Sequence, residues 1–174
     1  MALTPEAVLP RLRGSFGRVY HYAAETTSTQ RMAPPDAAHG TVALAEHQTE
    51  GRGRLGRVWV DDAGSGLSFS VVLRPPPPVA HWPELTLLAA RAVAESIGDR
   101  AVIKDPNDVF LDGRKVAGVL AEASGHVVLG IGVNVGSAPW PGAGFVEGDR
   151  LALLVEILDR LERAYTRWAN SLRA

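Results

Sequence analysis

Residues 109–122 read VFLDGRKVAGVLAE, two apolar runs on either side of the dipeptide Asp112-Gly113. An Asp-Gly pair between two such runs predicts a tight β-hairpin, because the turn requires positive φ angles that glycine adopts at little cost. The next apolar run, HVVLGIGVNV at 126–135, predicts a further strand. This part of the chain therefore predicts an antiparallel sheet.

The other strands are predicted from shorter patterns. GTVALAEHQ at 40–48 and AVIK at 101–104 are apolar enough to be strands. GLSFSVVLR at 66–74 alternates, so that one face would carry Leu67, Phe69, Val71 and Leu73. The tetraproline at 75–78 would end that strand, since proline cannot donate to a ladder.

Two short helices are predicted near the N-terminus. Thr4-Pro5-Glu6 is typical of a helix start, and Gly14 would close that helix. Ser28 or Thr29 would cap a second short helix that ends at Pro34-Pro35.

Two longer helices follow. Pro83 to Ile97 has helical apolar spacing and ends before Gly98. From Asp149 an amphipathic helix runs to the end, and its apolar stripe is more typical of a core face than of a partner seam. That stripe contains Leu151, Leu154, Val155, Leu158, Leu161, Tyr165 and Trp168.

The chain is expected to be a single α+β domain over 1–174, with a mixed, mostly antiparallel sheet flanked by helices. It contains no internal repeat and no composition shift that would mark a domain boundary.

Composition excludes several classes of function. The formal net charge is −1 and no cysteine is present, so disulfides, thiolate metal sites and cysteine nucleophiles are excluded. The histidines show no metal-ligand spacing, and we predict no metal site built from side chains alone. The N-terminus lacks a signal-peptide core and no apolar run approaches 18 residues, so we expect a cytoplasmic protein with no membrane partner. A near-neutral body also argues against nucleic acid as a partner.

A local basic segment stands out on this neutral body. Residues 51–59 read GRGRLGRVW, with three glycines and three arginines before the tryptophan. Such a segment is costly to order, because glycine loses the most backbone freedom and the like charges repel. It is expected to fold around small anions and to be mobile without them, as is the loop around Trp140. We call residues 51–57 the arginine loop.

Two familiar motifs match the arginine loop, but the surrounding sequence excludes both. Gly51, Gly53 and Gly56 fit a dinucleotide fingerprint, but the following VWVDDAGSG is turn-like where that motif needs a helix. With Val58 the segment also fits a protein-kinase glycine loop, but the chain is too short for that fold. No side chain is an evident covalent catalyst, so chemistry here would depend on positioning and electrostatics.

Five ordered motifs together resemble the catalytic domain of biotin protein ligases. They are Thr27 to Gln30, Gln48 to Trp59, Lys104 to Asp108, Lys115 to Glu122, and Gly130 to Val135. Their order and spacing match the family over about residues 20–170. The resemblance implies the fold shared by biotinyl ligases and class II aminoacyl-tRNA synthetases, without the N-terminal DNA-binding and C-terminal small β-barrel domains.

The same resemblance implies a reaction. The family condenses biotin with ATP, in the presence of Mg²⁺, to biotinyl-5′-adenylate and then transfers biotin to a lysine of a biotin carboxyl carrier domain. Lys104 and Arg54 would be the catalytic residues. The biotin site would comprise Ser28, Thr29, Gln30, Gln48, Gly51, Arg52, Gly53, Arg54, Lys104 and Gly118. The nucleotide site would comprise Arg52, Arg54, Arg57, Trp59, Asn107, Lys115, Asn134 and Trp140.

Two positions depart from the family pattern. Gln30 replaces an asparagine, from which we expect little change, and Asp105 replaces a tryptophan next to Lys104. A carboxylate beside that lysine would repel an incoming carboxylate and puts activity in question. Two alternatives therefore stay open: a non-catalytic module that binds biotin or its adenylate, and a lipoate-type acyl ligase of the same fold.

Overall fold

The main element of the fold is a seven-stranded sheet. The structure, a computed structural model, describes residues 1–104 and 106–174. The strands of the sheet are β1 (Tyr20–Thr26), β2 (Val42–Gln48), β3 (Leu67–Leu73), β4 (Ala101–Lys104), β5 (Asp108–Leu111), β6 (Arg114–Ala123) and β7 (Val127–Val133). They lie in the order β1-β2-β3-β7-β6-β5-β4. β1 and β2 pair in parallel and the other neighbours pair antiparallel. The predicted mixed, mostly antiparallel sheet is confirmed.

The hairpin predicted at Asp112-Gly113 joins β5 to β6, and both turn residues have positive φ angles. β7 then pairs with β6 and also with β3, so it lies at the centre of the sheet. β3 is buried along its whole length and on both faces. The alternation predicted for that strand is therefore not accompanied by burial of one face alone.

One strand was not predicted. β1 has the sequence YHYAAET, which has neither a clean alternation nor a run of β-branched residues, and it lies at the sheet edge. It pairs with β2 after a crossover through residues 27–41, a long-range parallel contact that a local pattern does not reveal.

The long helices cover one face of the sheet. They are α2 (Glu84–Ile97) and α3 (Arg150–Leu172), and α3 begins as predicted, where the Asp149 carboxylate accepts a hydrogen bond from the Ala152 N–H at 2.8 Å. The predicted stripe of α3 packs into the core, except that Trp168 is only half-buried. No helix in residues 1–104 or 106–174 is long and apolar enough to cross a bilayer.

The predicted N-terminal helices are shorter than expected. α1 spans Pro5–Val8 and continues only as a 3-10 turn at Leu9–Arg11. Pro10 cannot donate the next helical hydrogen bond, and its ring clashes with the preceding turn. The second predicted helix is a single 3-10 turn at Thr29–Arg31, capped by the Ser28 hydroxyl.

Candidate active site

Glycines of two paired strands form a shelf on the sheet face away from α2 and α3. Gly118 of β6 pairs with Gly132 of β7. A Cβ atom added at Gly132 would lie 2.3 Å from Cε2 of Trp59, and one added at Gly130 would lie 2.8 Å from Oε1 of Gln30. The missing side chains therefore let the Trp59 indole and the Gln30 amide lie directly on the sheet.

A cavity of about 420 Å³ opens over this shelf, within the usual size range of a small-molecule site. Most of the predicted site residues line it. They are Ser28, Thr29, Gln30, Gln48, Arg52, Gly53, Arg54, Arg57, Trp59, Asn107, Lys115, Gly118 and Trp140. Residues from five separate parts of the sequence thus meet at one cavity.

One end of the cavity is neutral, polar and buried. Ser28, Thr29 and Gln48 are each at least nine-tenths buried. The backbone N–H of Thr29 donates to Oε1 of Gln48 at 2.9 Å, which fixes that amide and leaves its NH₂ group as a donor. This end can bind a ligand that has both hydrogen-bond donors and acceptors.

Another part of the cavity lining is cationic, and each of three cations there already has a protein partner. The Arg52 guanidinium lies 2.7 Å from Glu122, and the Lys115 ammonium lies 2.9 Å from Asp108. Arg54 donates to the Asn107 side-chain carbonyl at 3.2 Å. An anionic ligand would compete with these oxygens for the same cations.

The arginine loop has more internal structure than the sequence suggested. Arg52 and Val58 form an isolated antiparallel bridge, and the Gly53 N–H donates to the Arg57 carbonyl at 2.7 Å. Between them, Leu55 adopts a positive φ of 56° and is 88% exposed. A small hairpin therefore closes the arginine loop, and its mobility without anions stays a prediction.

Lys104 lies apart from the cavity. It ends β4, and its ammonium lies 4.1 Å from the ring centroid of Phe110, a cation–π contact. It is not among the residues that line the cavity. Its neighbour Asp105, the departure from the family pattern, lies outside the described residues.

Two other predicted residues lie beside the cavity and have structural contacts. A Cβ atom at Gly51 would lie 2.2 Å from the carbonyl oxygen of Trp59, so the two ends of the loop approach closely only because this residue is glycine. The Asn134 amide is buried and donates to the Gly144 carbonyl at 2.9 Å, which ties β7 to the loop that carries Trp140.

Asp61 was not predicted, yet it anchors the polar end. Its carboxylate lies 2.6 Å from Nδ1 of His47, accepts from the backbone N–H of Gln48 at 3.2 Å and accepts from the Ser68 hydroxyl at 2.9 Å. The acid thus joins the end of the arginine segment to the end of β2. Only its place just after Trp59 in the turn-like VWVDDAGSG could have suggested this role.

The Trp59 side chain provides the cavity with a hydrogen-bond donor as well as an aromatic surface. Its indole Nε1 is buried and has no hydrogen-bond partner within residues 1–104 and 106–174. Trp140 lies at the rim of the same cavity and is 38% exposed. A buried indole N–H without an acceptor is costly unless a ligand or water accepts from it.

Comparisons with known proteins identify the class to which this fold belongs. The fold is that of biotin protein ligases, which is related to class II aminoacyl-tRNA synthetases. The biotin protein ligase from Aquifex aeolicus, solved in complex with biotin and ATP, superimposes with a TM-score of 0.76 over 88% of this chain and 72% of that chain, at 29% identity.

The biotin/lipoate A/B protein ligase family model matches residues 14–134, and the chain belongs to that family. It is 38% identical to the biotin–[acetyl-CoA-carboxylase] ligase of Mycobacterium tuberculosis, over 91% of this chain and 68% of that protein. It is 39% identical to the bifunctional ligase/repressor BirA of Bacillus subtilis, over 70% of this chain. It spans 41% of the length of that relative.

Proposed function

We propose that the chain is an ATP-dependent biotin protein ligase and that residues 1–174 form its single catalytic domain. One observation carries the proposal: a single cavity has a neutral polar end at Ser28, Thr29 and Gln48, and a cationic side at the arginine loop. Biotin has the matching polarity, with a neutral ureido ring at one end and a carboxylate at the other. The Aquifex relative binds biotin and ATP, which supports the same pair of substrates here.

The first step would join two anions. A carboxylate oxygen of biotin attacks the α-phosphorus of ATP, the bond to the β-phosphate oxygen breaks, and pyrophosphate leaves with biotinyl-5′-adenylate as the other product. Arg52, Arg54 and Lys115 would exchange their protein partners for ligand oxygens and reduce the repulsion. Mg²⁺ would enter with the phosphates as part of the nucleotide substrate.

The second step would be acyl transfer to a protein. The amine of a lysine in a biotin carboxyl carrier domain attacks the carbonyl carbon of the adenylate, an amide bond forms, and AMP leaves. The acceptor is inferred from relatives named as biotin–[acetyl-CoA-carboxylase] ligases. We propose that Trp140, which lines the cavity, covers the adenine ring.

Biotin-dependent exchange of labelled pyrophosphate into ATP tests the proposal. We expect exchange with biotin and Mg-ATP, and none when lipoate replaces biotin. Exchange with lipoate alone would instead favour the lipoate-type ligase. Biotin binding without any exchange would favour the non-catalytic module, an alternative consistent with the position of Lys104 outside the cavity wall.

A further inference from the structure

A continuous hydrogen-bond chain runs from the polar end of the cavity to the arginine loop. The Thr29 and Ser70 hydroxyl oxygens lie 2.8 Å apart, and Ser70 donates to Oε1 of Gln30 at 2.7 Å. Nε2 of Gln30 donates to one oxygen of Glu122 at 3.0 Å. The other oxygen of Glu122 lies 2.7 Å from Arg52.

The donors and acceptors of this hydrogen-bond chain can be arranged in only one direction. The Glu122 carboxylate and the Val128 carbonyl, 3.0 and 3.3 Å from Nε2 of Gln30, are both acceptors, so the NH₂ group of Gln30 must face them. The Gln30 carbonyl therefore faces Ser70 and takes the single hydroxyl hydrogen of that serine. Ser70 can then only accept from Thr29, and the Thr29 hydroxyl must donate to it.

We infer that Gln30 is a positioning residue that makes the Thr29 hydroxyl an obligatory hydrogen-bond acceptor toward the cavity. The hydroxyl hydrogen of Thr29 is used within the chain, so only its lone pairs face a ligand. The neighbouring Gln48 amide offers the complementary donor. The inference rests on the proposed function, since the group to be recognised would be a ureido N–H of biotin.

The length of Gln30 is what allows this arrangement. Its amide reaches Ser70 on β3 and Glu122 on β6 at once, across the space that Gly130 leaves open. The asparagine of the family pattern is one methylene shorter and could not keep both contacts from this backbone position. The expectation that glutamine here changes little stays a prediction, which the variants below test.

Calorimetric titration with matched ligands tests the inference. The probes are biotin and its two cyclic carbamate analogues, in each of which a ring oxygen replaces one ureido N–H. Wild-type protein should prefer biotin over one of the analogues by at least about tenfold, because oxygen would face the Thr29 lone pairs. Effects on the shared carboxylate cancel in this ratio of affinities.

Two variants of Gln30 separate polarity from packing. Gln30→Met keeps the size but removes the acceptor for Ser70, which frees the Thr29 hydroxyl to donate, so the preference should fall to within about threefold of unity. Gln30→Glu keeps an acceptor for Ser70 and should keep the preference. Ser70→Ala should lower the preference as Gln30→Met does, even if Gln30→Glu fails to fold.

Arg52→Ala is the control for the charged end. It should weaken biotin and both analogues alike and leave the preference unchanged. The inference is overturned if Gln30→Met and Ser70→Ala keep the wild-type preference, or if wild-type protein binds biotin and both analogues equally.

If wild-type protein bound none of these ligands, the proposed function would fail. Unfolding in urea would still test the hydrogen-bond chain. Thr29→Val and Gln30→Met should then be non-additive, since both belong to one network. Gln30→Met should be additive with Thr49→Val, a matched change at an exposed threonine. Additivity of the first pair would overturn the inference.

Discussion

Among individual residues, the cations of the site were predicted and their partners were not. Arginines at 52 and 54 and Lys115 line the cavity, as the sequence patterns suggested. No sequence pattern indicated that Glu122, Asn107 and Asp108 would be their partners. These oxygens lower the repulsion between the cations without a ligand, so the arginine loop does not depend on anions alone to be ordered.

Lys104 is the predicted catalytic residue whose position differs most from its proposed role. Its ammonium packs on Phe110, and it would have to leave that ring to reach a carboxylate in the cavity. We expect Lys104→Ala to lower biotin-dependent pyrophosphate exchange by about a hundredfold or more, because a cation between two anions is lost. Lys104→Arg should restore only part of the rate, since a guanidinium is larger and its donor geometry is fixed.

Arg100→Ala is the matched control for this test. Arg100 pairs with Asp112 at the other end of the β4–β5 hairpin and is exposed, so its loss should leave exchange unchanged. Wild-type exchange rates in Lys104→Ala would show that this lysine takes no part in adenylate formation.

At the scale of elements, the site depends on how closely the arginine segment approaches the sheet. The Trp59 indole lies on glycines of β6 and β7, and the backbone N–H of Trp59 donates to the Gly51 carbonyl at 2.9 Å. The GIG sequence of β7 was recognised as part of a motif, but no role was predicted for Gly132. That role depends on the position of β7 under the indole, which is a long-range contact.

Alanine at two paired glycines should have different effects. Gly132→Ala places a methyl group 2.3 Å from Trp59, so the indole must move, and we expect a loss of about 1–3 kcal/mol in the free energy of unfolding. Gly118→Ala places the methyl group 3.4 Å from the same ring, an ordinary contact, and should cost less than about 0.5 kcal/mol. Urea unfolding measures both values.

Biotin titration of the same two variants tests the role predicted for Gly118. If that glycine leaves room for biotin, Gly118→Ala should fold normally and bind biotin more weakly. Equal stability of the two variants would contradict the close packing of Trp59 on β7.

For the whole molecule, one carboxylate joins the N-terminal segment to α3. Glu162 accepts from the Ser15 N–H at 2.9 Å, from the Phe16 N–H at 3.0 Å and from the Ser15 hydroxyl. Burial raises the pKa of Glu162, but these hydrogen bonds outweigh that effect and leave the pKa below its usual value. Stability that depends on this ionised group is therefore present at neutral pH.

Replacing this acid should give a pH-dependent loss of stability. A lowered folded-state pKa means that the contribution is complete above the unfolded-state pKa and disappears as the pH falls through the folded-state pKa. We expect Glu162→Gln to cost about 1 kcal/mol at pH 7, a value reduced for its partial exposure. The difference from wild type should narrow below about pH 4.5, the usual glutamate value.

Urea unfolding at a series of pH values measures this difference. Glu147→Gln is a control, since the exposed Glu147 has no ion pair or side-chain hydrogen bond in the described part of the chain. A constant difference between Glu162→Gln and wild type down to pH 3 would contradict the assignment.

The sequence by itself determined the local elements and the composition of the site. The Asp112-Gly113 hairpin, the strand β3 and the apolar stripe of α3 depend on neighbours in the chain, and the structure confirms them. Three features depend on long-range contacts, and only the tertiary structure decided them. They are the parallel edge strand β1, the carboxylate partners of the cations, and the hydrogen-bond chain from Thr29 to Glu122. Gln30 and Glu122 are 92 positions apart, and a hydrogen bond at that separation exists only because β3, β7 and β6 lie side by side. Local patterns record backbone preference and burial, whereas the direction of a hydrogen bond depends on which strands the fold makes neighbours.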